Sequence, residues 1–115
     1  MNIEEIREYC LSKPMSQEEM PFGPDTLVFK VYGKIFLLIG LDQLEDLCFN
    51  VKCDPTYALE LREKYPNTVI PGYHMNKKHW NTVYANRELA DEKLLELIAQ
   101  SYALIVQAIP KKLKQ

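Results

Sequence analysis

The sequence predicts an α+β domain: an antiparallel β-sheet with helices packed on one face, in the order αβββαββα. Between residues 26 and 52, two segments alternate with period two, and a third between them is apolar on both faces. A long C-terminal segment carries apolar residues at helical spacing instead. Short turn signals between the alternating segments favour an antiparallel meander, because parallel strands need long crossovers.

The first element is read as a helix from about Ile3 to Leu11. Asn2 and Glu5 have capping-box spacing, and Glu4 and Glu5 suit the positive end of the helix dipole. Ile3, Ile6 and Cys10 form its apolar stripe, and Pro14 forces the chain out of the helix. Met15 to Asp25, with Pro21, Gly23 and Pro24, is read as a connecting loop. Leu27, Phe29 and Val31 share one face of the first strand; Val28, Lys30 and Tyr32 share the other. Gly33-Lys34 turns the chain into Ile35–Ile39, apolar on both faces and therefore central. After a polar loop from Asp42 to Asp46, Leu47, Phe49 and Val51 alternate inward.

Asp54 and Pro55 are placed as N-cap and first residue of a second helix, which ends before Pro66. Ala58, Leu61 and Tyr65 face its core side. Thr68–Ile70 and Trp80–Tyr84 read as a hairpin whose connecting loop protrudes as a wing. The last helix spans about Ala90 to Ile109, with Leu94, Ile98, Tyr102, Ile105 and Ile109 on one stripe. Pro110 ends it, and Lys111 to Gln115 is a basic tail.

With 115 residues, the chain has room for one domain, taken as 1–115. It is 47% hydrophobic and 26% charged, a balance typical of a packed domain rather than a disordered one. Three cysteines form no CxxC pair, so free thiols in a reducing compartment are expected. The acidic N-terminus lacks the regions of a signal peptide, and no apolar run is long enough for a membrane helix. A cytoplasmic location and no membrane partner are expected. The net charge of −2 weighs against a general polyanion binder, so any nucleic-acid contact must rest on local asymmetry.

No phosphate loop, dinucleotide fingerprint, nucleophile elbow or HExxH motif is present. The four glycines lie singly beside turns and are expected to serve them. Cys48 and Cys53 stand five apart, which in one strand places them on opposite faces, so they do not form a metal-binding pair with His74 and His79. A thiolate–imidazole pair of Cys53 with a wing histidine needs a reach that spacing does not supply. No cofactor, metal or catalytic residue is therefore assigned, and a non-enzymatic role is expected.

Pro71-Gly72-Tyr73-His74-Met75-Asn76-Lys77-Lys78-His79-Trp80 is the most distinctive segment. Lys77 and Lys78 are adjacent at a loop tip, His79 adds charge when protonated, and Asn76 offers hydrogen bonds. Lysines at such a tip neutralise phosphates when a rigid sheet holds them. Trp80, the single tryptophan, is expected to anchor the hairpin in the core, together with Tyr73.

The stretch from Pro71 to Val83 resembles the signature of the MmcQ/YjbR family of small bacterial proteins. Phe22-Gly23-Pro24 with Leu27–Val31, Asn50-Val51-Lys52-Cys53-Asp54-Pro55, and Pro110-Lys111-Lys112-Leu113 extend the resemblance over nearly the whole chain. It implies a CyaY-like α+β fold and a double wing likened to DNA-binding domains. The wings here would be the Tyr32-Gly33-Lys34 turn and the Met75–His79 loop. On this basis Lys34, Lys77, Lys78 and His79 are expected to contact phosphates of double-stranded DNA, helped by Asn76, Lys111 and Lys112. The alternative is a protein-interaction module, with a protein partner meeting the same loop or a sheet face that exposes Val28, Tyr32 and Leu38. A further option is a small-ligand pocket under the wing, formed by Tyr73, His74 and Trp80.

Overall fold

The computed structural model describes residues 1–72 and 75–114. Helix α1 spans Ile3–Leu11, as the capping box predicts: Asn2 Oδ1 accepts from Glu5 N, and Glu5 accepts in return from Asn2 N. Six strands follow: β1 Ser16–Glu19, β2 Thr26–Val31, β3 Lys34–Gly40, β4 Cys48–Lys52, β5 Val69–Pro71 and β6 Trp80–Tyr84. Helix α2, Pro55–Lys64, lies between β4 and β5, and α3, Asp91–Ala108, follows β6. Asp54 caps α2 by accepting from Thr56 N and Tyr57 N, both at 3.1 Å.

The strands form one antiparallel sheet in the order β1-β2-β3-β4-β6-β5. The expected order therefore lacked one strand. Ser16–Glu19 lies in the segment expected as a loop, yet it pairs with β2 from Ser16↔Val31 to Glu19↔Val28. Its sequence, Ser-Gln-Glu-Glu, has no apolar alternation because it is an edge strand held mainly by backbone pairing. Its carboxylates are tied down: Arg7 Nε donates to Glu18 at 2.8 Å, and Lys30 Nζ lies 2.7 Å from Glu19. Charged side chains of this kind discourage another chain from pairing along the edge.

The helices cover one face of the sheet. Leu27, Phe29, Leu37, Ile39, Phe49, Val51 and Val83 meet Ile6 and Cys10 of α1, Ala58 and Leu61 of α2, and Leu94, Leu97 and Ile98 of α3 in one core. β3 is third of the six strands, central as its two apolar faces predict. A bulge opposite Phe29 and Lys30 makes Phe36 the extra residue, so Phe36 and Leu37 both enter the core. The Phe36 ring meets Tyr102 of α3 edge-on, with centroids 5.3 Å apart.

The opposite face carries no helix. Ile35, Leu38, Asn50, Thr82 and Tyr84 line a groove of about 780 Å³ there. The apolar patch expected on this face is smaller than the alternation suggested. Val28 is fully buried, and Tyr32 packs against the core cluster, leaving Leu38 with Ile35 and Ile70. Among the described residues, no helix is long and apolar enough to cross a membrane.

Candidate nucleic-acid interface

Strand register decides which distant residues become neighbours. At one end of the sheet lie the β2–β3 turn, the end of β4 at Lys52 and the start of β6 at Trp80. The C-terminus of α3 reaches the same end, since Tyr32 Oη donates to Lys114 O at 3.4 Å. Lys34, Lys52, Lys77, Lys78, Lys111 and Lys112, distant in sequence, therefore share this end. Asp25, Asp42, Asp46 and Asp91 lie at the opposite one, with Met1 and Asn86. The local charge asymmetry that the net charge conceals is set up by topology.

The basic end is split by a cleft. β3 and β4 pair only from Leu37↔Val51 to Ile39↔Phe49. Beyond Leu37 they part, and the buried Ser101 of α3 closes the gap. Lys52 N donates to Ser101 Oγ at 2.8 Å, and that hydroxyl donates to Phe36 O at 2.6 Å. Past this bridge opens a depression of about 540 Å³. Lys30, Gly33 and Lys34 form one wall, Lys52, Met75 and Trp80 the other, and Ile105, Ala108 and Ile109 the floor.

Two turns of different construction flank it. The β2–β3 turn has positive φ at Tyr32 (51°) and at Gly33 (78°), the geometry of a two-residue hairpin turn that follows strand twist. The β5–β6 loop is braced from outside. Arg62 of α2 donates to Asn81 Oδ1 at 2.7 Å, to Trp80 O at 3.3 Å and to Lys77 O. Cys53 N donates to His79 O at 2.7 Å. Asn76 Oδ1 accepts from Lys78 N at 3.0 Å, so the hydrogen bonding expected of Asn76 toward a ligand is partly used to shape its own loop. His79 is half-buried, whereas Lys77 and Lys78 are exposed. Tyr73 and His74 lie outside the described residues.

Trp80 departs from expectation. It is half-buried, stands outside the core cluster, and pairs with Lys52 across the sheet. Its neighbour Asn81 faces α2 and is buried. Alternation therefore turns Trp80 to the uncovered side, where it lines the cleft. The glycine reading needs a parallel correction. Gly23 and Gly33 have positive φ and serve turns, but Gly72 does not. A Cβ on Gly72 would stand 2.9 Å from Trp80 Cβ and 3.0 Å from Trp80 O, so glycine there permits the close approach of β5 to Trp80.

Of the 14 lysines and arginines, eight are engaged within the chain, and Lys30, Arg62 and Lys114 of the basic end are among them. Arg7 and Lys30 bond β1 carboxylates; Arg87 pairs with Asp46 and Lys93 with Glu96. Arg62 braces the loop; Lys13 and Lys64 sit over Tyr9 and Tyr65; Lys114 Nζ donates to Val106 O. Lys34, Lys52, Lys77, Lys78, Lys111 and Lys112 are the remainder. Among the described residues, none of these six amines has a carboxylate, a ring or a hydrogen-bond acceptor as partner.

The cysteines are parted by the sheet. Cys53 is buried in the core, while Cys48 is half-exposed and lines the uncovered groove. Burial, then the charge of Asp54, pushes the Cys53 thiol up to about 11, away from the thiolate that nucleophilic chemistry needs. Among the described residues, no group of three His, Cys, Asp or Glu side chains comes together in a way that could hold a metal.

Comparison with known proteins agrees with the fold. The YjbR family model matches residues 11–104. The uncharacterised protein YbdF of Escherichia coli O157:H7 is 40% identical over 110 residues, covering 95% of this chain and 88% of that protein. The uncharacterised protein YjbR of Escherichia coli K12 is 29% identical over 97% of this chain and 93% of its own length. A crystal structure of a Deinococcus radiodurans protein superposes with a TM-score of 0.91 at 36% identity, covering 96% of this chain and 83% of that one. A Pseudomonas syringae protein superposes at 0.76 with 28% identity, over 90% and 98% of the two chains. With the family model matching most of its length and a relative at 40% identity, the chain belongs to the YjbR family.

Proposed function

We propose that this protein is a non-enzymatic DNA-binding domain, with a CyaY-like sheet whose basic end holds phosphates between two wings. The wings are the Tyr32–Lys34 turn and the Met75–His79 loop. The observation that supports the reading is the segregation of unpartnered amines. Lys34, Lys52, Lys77, Lys78, Lys111 and Lys112 share one end of the sheet and have no partner among the described residues, whereas the other lysines and arginines, at either end, are engaged within the chain. An amine without an intramolecular partner loses little when it meets a phosphate, and displaced counterions drive the association. The carboxylates of α1 and β1 do not oppose this. Glu18 and Glu19 are engaged by Arg7 and Lys30, and Glu4 and Glu5 begin α1 at the far end.

The test is the salt dependence of binding to DNA oligonucleotides. Six engaged lysines correspond to a log–log slope of about −5 on duplex and about −4 on a single strand. A flat dependence, or no binding at low salt, overturns the reading.

One observation favours a second reading, a protein-interaction module. The uncovered groove has apolar flanks, Ile35 and Leu38 on β3 and Ile70 on β5, with the polar pair Asn50 and Thr82 between them, and a protein partner could dock there. A charge introduced in the groove, Leu38→Asp, would abolish such an interaction and leave phosphate binding intact.

A further inference from the structure

Resting on the DNA-binding reading, we propose that the cleft at the basic end prefers single-stranded nucleic acid, with Trp80 as the stacking platform for one unpaired base. Phosphate neutralisation explains the lysines but not the tryptophan. A residue with this much apolar surface is normally consumed by the core. Here it stands outside the core cluster, half-buried, in the wall of a cleft. The glycine at position 72, which leaves no room for a Cβ against Trp80, brings β5 close behind it. The structure thus spends a special backbone position on a tryptophan that contributes nothing to the central packing.

The surroundings suit a base and its flanking phosphates. Trp80 is directly opposite Lys52 in the β4–β6 register, and Lys34 stands on the facing wall. Neither amine has an intramolecular partner among the described residues. The floor, Ile105 and Ile109, is aliphatic, and the volume of about 540 Å³ lies within the range of sites that enclose a small planar ligand. An aromatic face between basic groups is the recurrent arrangement for single strands, because every base offers a π-face whatever its identity. A duplex base is stacked on both sides and enters such a cleft only after flipping, at a cost of a few kcal/mol. An unpaired base enters without that cost. Duplex DNA therefore touches only the lysines, while a single strand gains the tryptophan as well.

Because Trp80 is the only tryptophan, its fluorescence reports this site alone. The experiment titrates the full chain at low salt with three probes: a short oligothymidylate, an abasic oligonucleotide of the same length, and a duplex with as many phosphates per strand. Trp80 emission and the anisotropy of a labelled probe are followed together. The oligothymidylate should quench Trp80 and bind roughly tenfold or more tightly than the abasic probe. Trp80→Leu should bring the two to equal affinity while leaving duplex affinity unchanged; Trp80→Phe should keep part of the difference. Equal affinity of the two strands for the unaltered protein, or binding without any change in Trp80 emission, overturns the inference. If that happens while the abasic probe and duplex still bind with steep salt dependence, the phosphate reading survives alone. If no probe raises the anisotropy, both fall together.

Discussion

The two ends of the sheet handle charge in opposite ways. At the acidic end several ionic groups are knitted into the fold. Arg87 pairs with Asp46 at 2.7 Å, donates to Asn67 O and stacks over Tyr84 at 3.6 Å. The N-terminal amine bonds Asn86 Oδ1 at 2.6 Å and lies 3.6 Å from Asp91. Thr68 Oγ1 donates to Glu88 at 2.8 Å and accepts from its backbone N–H. At the basic end six lysine amines stand off the fold, and the backbone beneath them is braced instead by Arg62, Ser101 and Asn76. The first arrangement serves cohesion. The second presents charge on a rigid support.

Reversing charge at the basic end should have the largest effect. Lys77→Glu with Lys78→Glu should weaken DNA binding at low salt a hundredfold or more, since two attractive contacts become repulsive. Stability should change by less than about 0.5 kcal/mol in denaturant titration, because neither amine has a partner to lose. A large stability loss would mean that these lysines belong to the fold.

Arg62→Ala attacks the support and leaves every proposed phosphate contact in place. Asn81 is buried, and among the described residues its Nδ2 has no acceptor. Removing Arg62 leaves Oδ1 unsatisfied as well, along with Lys77 O, and should cost about 1–3 kcal/mol. Amide exchange in residues 75–80 should accelerate more than in β2 or β3. Uniform protection across the sheet would show that the loop holds itself.

Arg87→Ala is the mirror experiment. It removes an exposed ion pair and a cation–π contact, so about 1 kcal/mol of stability should go. DNA affinity should hold within about twofold. A loss of affinity comparable to that of the lysine reversal would erase the distinction between the ends.

The smallest effect concerns β1. A hydrogen bond from Arg7, supported by that residue's charge, holds the Glu18 carboxyl below the usual carboxylate range. A depressed pKa means that the stabilising contact is complete above the unfolded value of about 4.3 and is lost as pH falls through the folded one. Exchange protection of the β1–β2 amides should therefore drop in acid before that of β3–β4. The Arg7→Gln variant should show the acid pattern already at neutral pH.

Much of the scaffold was legible because its causes are local. Asn2 and Glu5, Asp54 and Pro55, and the alternation of Leu47, Phe49 and Val51 each specify their element within a few residues. So does the stripe Leu94, Ile98, Ile105 and Ile109, all buried. β1 escaped because backbone pairing, not side-chain alternation, holds its four polar residues in the sheet. Phe36 escaped because the bulge exists only against the partner strand. For the site, Lys77, Lys78, Lys34, Lys111 and Lys112 were nameable as exposed cations. Lys52 was not, since in a strand it reads as the polar half of an alternation.

Sequence by itself determined the class of fold, the family, the helix boundaries and the presence of a basic loop. Tertiary structure alone decided that six unpartnered lysines share one end of the sheet with a tryptophan among them. The reason is register: alternation assigns a side chain to one of two faces, but which face is covered depends on where the helices pack. Trp80 satisfies the pattern of a core residue. It lines a cleft because Asn81, its polar neighbour, is the one bound to α2.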